Sequence, residues 1–79
     1  MAMKDRQGYK GCVIEARALE TRGGEFSAEF SIEEHDPSGV TETQSYLTAT
    51  FQSQKLAMAA AIQAGRRKID SRFEQRRAG

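Results

Sequence analysis

The sequence is poor in residues that usually fix small folds or support catalysis. It has no tryptophan, and only one cysteine, one proline and one histidine among 79 residues. A lone cysteine, Cys12, excludes an internal disulfide and a Cys/His zinc site, and it is typical of a reducing compartment. The longest apolar run, 56–62, is too short to span a bilayer, and the polar first eight residues do not resemble a signal peptide. These features predict a cytoplasmic protein without membrane association.

Few side chains could act in a reaction. His35 lies among acidic residues just before a predicted turn, where successive side chains alternate between faces and cannot converge on one ion. Cys12 is followed by apolar residues and has no base or positive charge beside it in the sequence to activate it as a nucleophile. No phosphate-binding glycine loop precedes the predicted helix. The sequence therefore predicts a non-enzymatic protein with no metal, no cofactor and no small-molecule substrate.

Positive charge is missing from the middle of the chain. No lysine or arginine occurs from Gly23 to Gln54, a stretch that holds six carboxylates. Residues 55–79 hold seven basic residues against two acidic ones. The net charge of +1 therefore hides an acidic middle and a basic end. Such asymmetry indicates an interaction module.

Alternating residues predict three strands. From Phe26 to Glu33, apolar and polar residues alternate strictly, which is typical of a half-buried antiparallel strand. Residues 9–19 predict a strand before it, and Gly23-Gly24 predicts the hairpin turn between them. Asp36-Pro37-Ser38-Gly39 has the residue preferences of a type I turn. A third strand is predicted from Val40 to about Thr50, with no clear inward face.

One helix follows, with Ser53 as its predicted N-cap and an end near Gln75. Its core-facing residues recur every three or four positions: Met58, Ile62, Gly65, Ile69 and Phe73. Gly65, which costs about 1 kcal/mol of helix propensity relative to alanine, is expected to allow close approach to the strands. The prediction is a single α+β domain over 1–79, ordered from about 9 to 75 with flexible termini. It is a three-stranded antiparallel β-meander with one long C-terminal helix packed on one face (β-β-β-α).

The start of this helix resembles the last helix of double-stranded RNA-binding domains, which has a Ser/Thr followed by lysines and alanines. The matching residues are Ser53, Lys55, Ala57, Ala60 and Ala61, whereas Gln54 and Met58 stand where that family usually has lysines. The resemblance implies the β-β-β-α part of that fold. It does not include the family's first helix, which reads the RNA minor groove, because about eight residues precede the first predicted strand.

A longer stretch, from Tyr9 to Asp70, resembles small bacterial proteins of unknown function with this layout. The resemblance rests on the strand Phe26-Ser27-Ala28-Glu29-Phe30 and on the helix end Ala64-Gly65-Arg66-Arg67-Lys68-Ile69-Asp70. It implies a fold and no activity.

Two surfaces could bind a partner. The first is the sheet face that one helix leaves uncovered, where Val13 and Leu19 are predicted, with Tyr46 beside them. Apolar residues on an otherwise open face indicate an interface. The leading hypothesis is therefore a small module for protein–protein interaction or self-association as a homodimer.

The second surface is the basic end of the helix, and it supports the alternative of a nucleic-acid accessory protein. Its candidate phosphate contacts are Arg66, Arg67, Arg72 and Arg76. Asp70 lies four and three residues from Arg66 and Arg67, and Glu74 lies three residues from Arg77, so these acids could pair with basic side chains of the helix instead. Glu29 and Glu33, on the uncovered sheet face, would repel phosphate there.

Overall fold

The computed structural model describes the backbone of residues 2–78 and the side chains of residues 3–72. The elements, in chain order, are β1 (Ala2–Tyr9), β2 (Cys12–Glu20), β3 (Phe26–Asp36), β4 (Gly39–Phe51) and α1 (Gln54–Ala78). The strands form one antiparallel sheet in the order β1-β2-β3-β4, and α1 packs mainly against β2 and β3. The predicted α+β class with an antiparallel sheet and one C-terminal helix is confirmed. The predicted number of strands is wrong, because there are four rather than three.

The additional strand is β1. It pairs with β2 along its whole length, ending at Tyr9 opposite Cys12. The two strands are joined at Lys10 and Gly11, which have φ values of 50° and 80°. Positive φ at both central residues is the requirement of a type I′ hairpin turn. The strand predicted at 9–19 therefore begins at Cys12, and Tyr9 belongs to the strand before it.

The core lies between the sheet and α1. Alternate residues of β2 and β3 face the helix and meet its predicted stripe, which confirms the faces assigned to these elements. The buried apolar residues are Cys12, Ile14, Ala16, Ala18, Ala28, Phe30, Ile32, Ala57, Met58, Ala61, Ile62 and Ile69. Phe26 ends up only partly buried and packs at the margin of this core. The side chain of Phe73 lies outside the described residues.

Three local predictions are confirmed. The Ser53 hydroxyl accepts the backbone N–H of Leu56 at 3.1 Å, as an N-cap does. The carboxylate of Asp36 accepts the backbone N–H of Ser38 at 2.9 Å and its hydroxyl at 2.6 Å. These bonds hold the pKa of Asp36 below its ordinary value. The turn between β2 and β3 contains Gly24 with φ 81°.

The facing of β4, which the sequence left open, follows from its register. Residues 39–46 of β4 pair with β3 without interruption, from Asp36↔Gly39 to Glu29↔Tyr46. The register then shifts, so that Ser27 pairs with Thr50. Thr43 and Ser45 face the helix, and Tyr46 faces away from it. In the described part of the chain, α1 is too polar to qualify as a membrane-crossing helix.

Candidate interaction surfaces

The sheet face turned away from α1, here named the open face, has a network of ion pairs at its centre. Its members come from three neighbouring strands: Lys4, Arg6, Glu15, Arg17, Glu29 and Glu33. Antiparallel pairing places these side chains in rows across the strands, with Arg6 opposite Glu15 and Arg17 opposite Glu29. The network therefore depends on β1, the strand that the sequence analysis missed.

The distances in this network are those of hydrogen-bonded ion pairs. Arg6 donates to Glu15 at 2.8 Å and to Glu33 at 3.2 Å. Arg17 donates to Glu29 at 2.8 Å and to Glu15 at 3.1 Å. The bond to Glu15, followed by the charge of Glu33, raises the pKa of Arg6 above its ordinary value. Three of these carboxylates are thus neutralised within the protein.

The centre of the open face is consequently covered by paired charges and not by apolar side chains. Ser31, in the middle of it, is only 2% exposed, and its register neighbours on the open face are Glu15 and Gln44. Stacking a dry partner surface on this centre would desolvate the paired charges, which costs more than such pairs commonly return. An interface on this side of the sheet should therefore lie away from its centre.

The predicted interface residues all face the open side, but they do not form one patch. Val13 and Leu19 stand at opposite ends of β2, about 20 Å apart at the rise of a strand, with the ion pairs between them. Val13 is half-buried, whereas Leu19 is 39% and Tyr46 is 71% exposed. Tyr46 lies on β4, at the edge of the sheet.

Sequence analysis missed one exposed apolar residue on the same strand. Val40 is 61% exposed and shares the open face with Tyr46, six residues further along β4. The signal that could have found it is the even spacing from Tyr46, because residues two, four or six apart share a face of a strand. These two are the most exposed large apolar side chains of the described residues.

Three of the five basic side chains that the structure describes on α1 bond to the sheet. Arg66 donates to Gln7 at 2.8 Å and lies over the Tyr9 ring, 5.5 Å from its centroid. Lys68 donates to the Ser45 hydroxyl at 2.8 Å. Arg66, a predicted phosphate contact, is thus held against β1, and its neighbour Lys68 against β4.

Arg72 makes a longer contact of the same kind. It lies 3.4 Å from both a Glu34 carboxylate oxygen and the Thr43 hydroxyl. Arg67 is exposed on the outer side of the helix. The side chain of Arg76, the fourth predicted phosphate contact, lies outside the described residues.

Asp70 links the helix to the β1–β2 turn. Its carboxylate accepts hydrogen bonds from the Tyr9 hydroxyl at 2.9 Å and from the Lys10 ammonium at 2.6 Å. These bonds, that of Lys10 above all, lower the pKa of Asp70, and the same contact raises the pKa of Lys10. The predicted pairing of Asp70 with Arg66 or Arg67 is thus replaced by a bond between elements. The side chain of Glu74 lies outside the described residues.

A shallow groove runs between β1 and α1. It encloses about 430 Å³, and its lining residues are Asp5, Gln7, Met58, Ala59, Ile62, Gln63 and Arg66. Two of its polar side chains are bonded to each other, since Arg66 donates to Gln7. A third, Asp5, accepts the backbone N–H of Arg6 at 3.0 Å. The groove therefore offers an apolar floor with few unengaged polar groups to orient a ligand.

No family model matches the sequence, and no curated protein and no solved structure shows significant similarity to it. The candidate surfaces are therefore interpreted from their own chemistry.

Proposed function

We propose that this protein is a small non-enzymatic binding module that acts by self-association, as a homodimer. One observation supports this most directly: its two most exposed large apolar side chains, Tyr46 and Val40, share the open face of an edge strand, about 20 Å apart at the rise of a strand. Scattered surface apolar residues are common. Two of them on one face of an uncovered edge strand can each meet a cross-strand neighbour on a partner strand.

The rest of the described surface offers less to a protein partner. The helix-facing side of the sheet is covered by α1, and the open face is ion-paired at its centre. The outer edge of β4, by contrast, presents backbone N–H and C=O groups that can pair with another strand. Val13 and Leu19 lie on β2, two strands away from this edge, and would belong to a separate interface on the open face.

Sedimentation velocity over a concentration series tests the proposal. We expect a dimer at micromolar concentration, because a small contact surface supports only a modest affinity. Tyr46→Glu should weaken it by placing a charge in the contact. Leu56→Glu is the matched control, since Leu56 is 55% exposed but lies on the helix. A strict monomer at several hundred micromolar would remove self-association from consideration.

A nucleic-acid accessory role is the second candidate. It is favoured by the exposure of Arg66 and Arg67 on neighbouring positions of α1. It is disfavoured by the bonds that hold Arg66, Lys68 and Arg72 to the sheet. Binding through the remaining charge would be weak, independent of base sequence and strongly reduced by salt.

Fluorescence polarisation with duplex RNA or DNA at low and physiological salt tests this alternative. The double variant Arg66→Glu/Arg67→Glu should abolish binding, whereas Glu29→Gln/Glu33→Gln, on the open face, should not reduce it. Arg72 is left unchanged because a glutamate there would stand beside Glu34. Absence of binding at low salt, where electrostatic attraction is strongest, would exclude the role.

A further inference from the structure

We infer that two copies of the protein join through their β4 edges, in antiparallel register about a two-fold axis at Thr43, to form one eight-stranded sheet. The inference rests on the proposed self-association and names the surface and register for it. Its starting point is that β4 is an edge strand whose outer side is uncovered in the described structure. Strand addition at such an edge satisfies backbone groups while the side chains decide which partner fits.

Symmetry limits the registers that two identical strands can adopt. Antiparallel pairing of β4 with its copy requires a two-fold axis perpendicular to the sheet, so both copies keep the same face toward their helices. Residues directly opposite each other must then share a face. The axis therefore lies between one residue and its own copy, and that residue is here called the centre of the pairing. The possible registers therefore differ only in which residue of the regular segment 39–46 is paired with its own copy.

A centre at Thr43 pairs all of 40–46 with its copy and gives favourable neighbours. On the open face it places Tyr46 opposite Val40 of the second copy, and Glu42 opposite Gln44. Aromatic side chains opposite β-branched ones, and threonine opposite threonine, are stabilising cross-strand pairs. This pairing explains why both side chains are exposed in the single copy, because Tyr46 of each copy would pack against Val40 of the other.

The neighbouring centres are less favourable. A centre at Glu42 would set that carboxylate directly opposite its own copy, a destabilising like-charge pair. A centre at Gln44 would place Val40 opposite Thr48, within the register shift that separates Tyr46 from Thr50. The Thr43 centre is the one that uses the regular segment most fully without opposing like charges.

The other edge of the sheet is protected against the same contact. On the open face of β1 stand Lys4 and Arg6, and antiparallel self-pairing of this short strand would bring these cations close to their copies. Charged side chains, lysine especially, are a common protection of edge strands. On β4, Glu42 is the only charged residue, and the Thr43 centre keeps it away from its copy.

The helix side of the proposed interface is polar and already partly neutralised. Thr43 would meet Thr43, and Ser45 would meet Thr41. Above them, Lys68 is bonded to Ser45, and Arg72 is paired with Glu34. Arg72 is therefore compensated by an anion within each copy, whereas Lys68 keeps its charge and is held in place by the Ser45 hydroxyl.

Charge substitutions at Gln44 test the register by sedimentation equilibrium on the full chain. Gln44→Lys would place lysine opposite Glu42 twice per dimer, so the dissociation constant should fall by roughly tenfold. Gln44→Glu would oppose like charges and should raise it by a similar factor. Thr48→Lys adds the same charge to the same strand beyond the paired segment, and Leu19→Glu alters the open face away from β4. Both should leave the constant unchanged.

The outcomes separate this inference from the proposed function. Opposite shifts for the two Gln44 variants, with both controls unaffected, support pairing at Thr43. A dimer weakened by both variants would contradict pairing at Thr43. It would indicate a centre at Gln44, where the substituted residue stands opposite its own copy and either charge meets a like charge. A dimer that responds to Leu19→Glu and not to Gln44 would place the interface elsewhere and leave self-association standing. A monomer throughout would overturn both.

Discussion

At Gly65 the helix backbone lies directly against the side chain of Ile14. A Cβ atom added there would stand 2.8 Å from Ile14 Cγ2, closer than such atoms approach. Ile14 is fully buried, and Cγ2 is attached to its Cβ, so the contact cannot be relieved by moving a flexible chain end. The glycine is therefore a requirement of packing, and the low helix propensity is its consequence.

Gly65→Ala is expected to destabilise the protein although alanine is the better helix former. Overpacking costs about 1–3 kcal/mol and the propensity gain returns about 1 kcal/mol, which leaves a net loss of up to about 2 kcal/mol in the free energy of unfolding. Urea denaturation measures it. In an Ile14→Ala background the same change should be neutral or stabilising, because its obstacle is gone. A more stable single variant would show that the close approach is not limiting.

At the scale of elements, Asp70 joins the C-terminal half of α1 to the β1–β2 turn. Its bonds to Tyr9 and Lys10 span sixty residues of sequence and connect the edge strand to the helix. α1 packs far less on β1 than on β2 and β3. This polar link therefore contributes to holding β1 near the helix where apolar packing is thin.

The link should make stability depend on acid. The pKa of Asp70 is lowered in the folded state, so its contribution is present above the unfolded pKa of about 3.9 and is lost as pH falls through the folded value. We expect wild-type stability to decline below about pH 4. Asp70→Asn should reduce that decline, as measured by urea denaturation at several pH values.

Two companion variants sharpen the pH experiment. Lys10→Met removes the main cause of the lowered pKa and should also flatten the acid dependence, though less than Asp70→Asn, because the Tyr9 hydroxyl still donates. Asp36→Asn should act independently and in the same direction, since the pKa of Asp36 is lowered by Ser38. An acid dependence identical in wild type and Asp70→Asn would rule out this role for the link.

Local patterns predicted some elements and could not predict others. Apolar and polar residues alternate strictly from Phe26 to Glu33 because β3 is covered on one face only. Ser53 and Asp36 were predictable because each forms hydrogen bonds with residues two or three positions away in the sequence. β1 has no such alternation, since its side chains are polar on both faces. The facing of β4 was open for a related reason: threonine, serine and glutamine fit either side of a strand.

The candidate surface was predictable only in part for a different reason. Tyr46 and Leu19 were recognised as open-face residues, but their separation depends on strand order and on a register shift that no local pattern encodes. The pairing of Arg6 with Glu33, twenty-seven residues apart, likewise requires knowing that β1 and β3 flank β2. Contacts between elements are properties of the topology.

At the scale of the whole molecule, folding brings some of the charges that are separated along the sequence next to one another. The acidic strand β3 lies beside β2, one strand from the basic β1, and beneath the basic half of α1. Its carboxylates therefore find cations on both faces: Arg6 reaches Glu33 on one side, and Arg72 reaches Glu34 on the other. Folding thus pairs three of the six carboxylates in the acidic middle of the sequence, Glu29, Glu33 and Glu34, with cations. What distinguishes regions of this surface is their apolar exposure and the state of the sheet edges.

Under the proposed pairing, the difference between the two sheet edges would set the valence of the subunit. A building block with two adhesive edges has valence two and grows without limit, as fibres do, whereas one with a single self-complementary edge stops at a pair. Lys4 and Arg6 on β1 would act as chain terminators in this sense, by leaving β4 as the only adhesive edge of the described sheet. Two ordinary-looking surface cations would thus separate a finite assembly from an open-ended one.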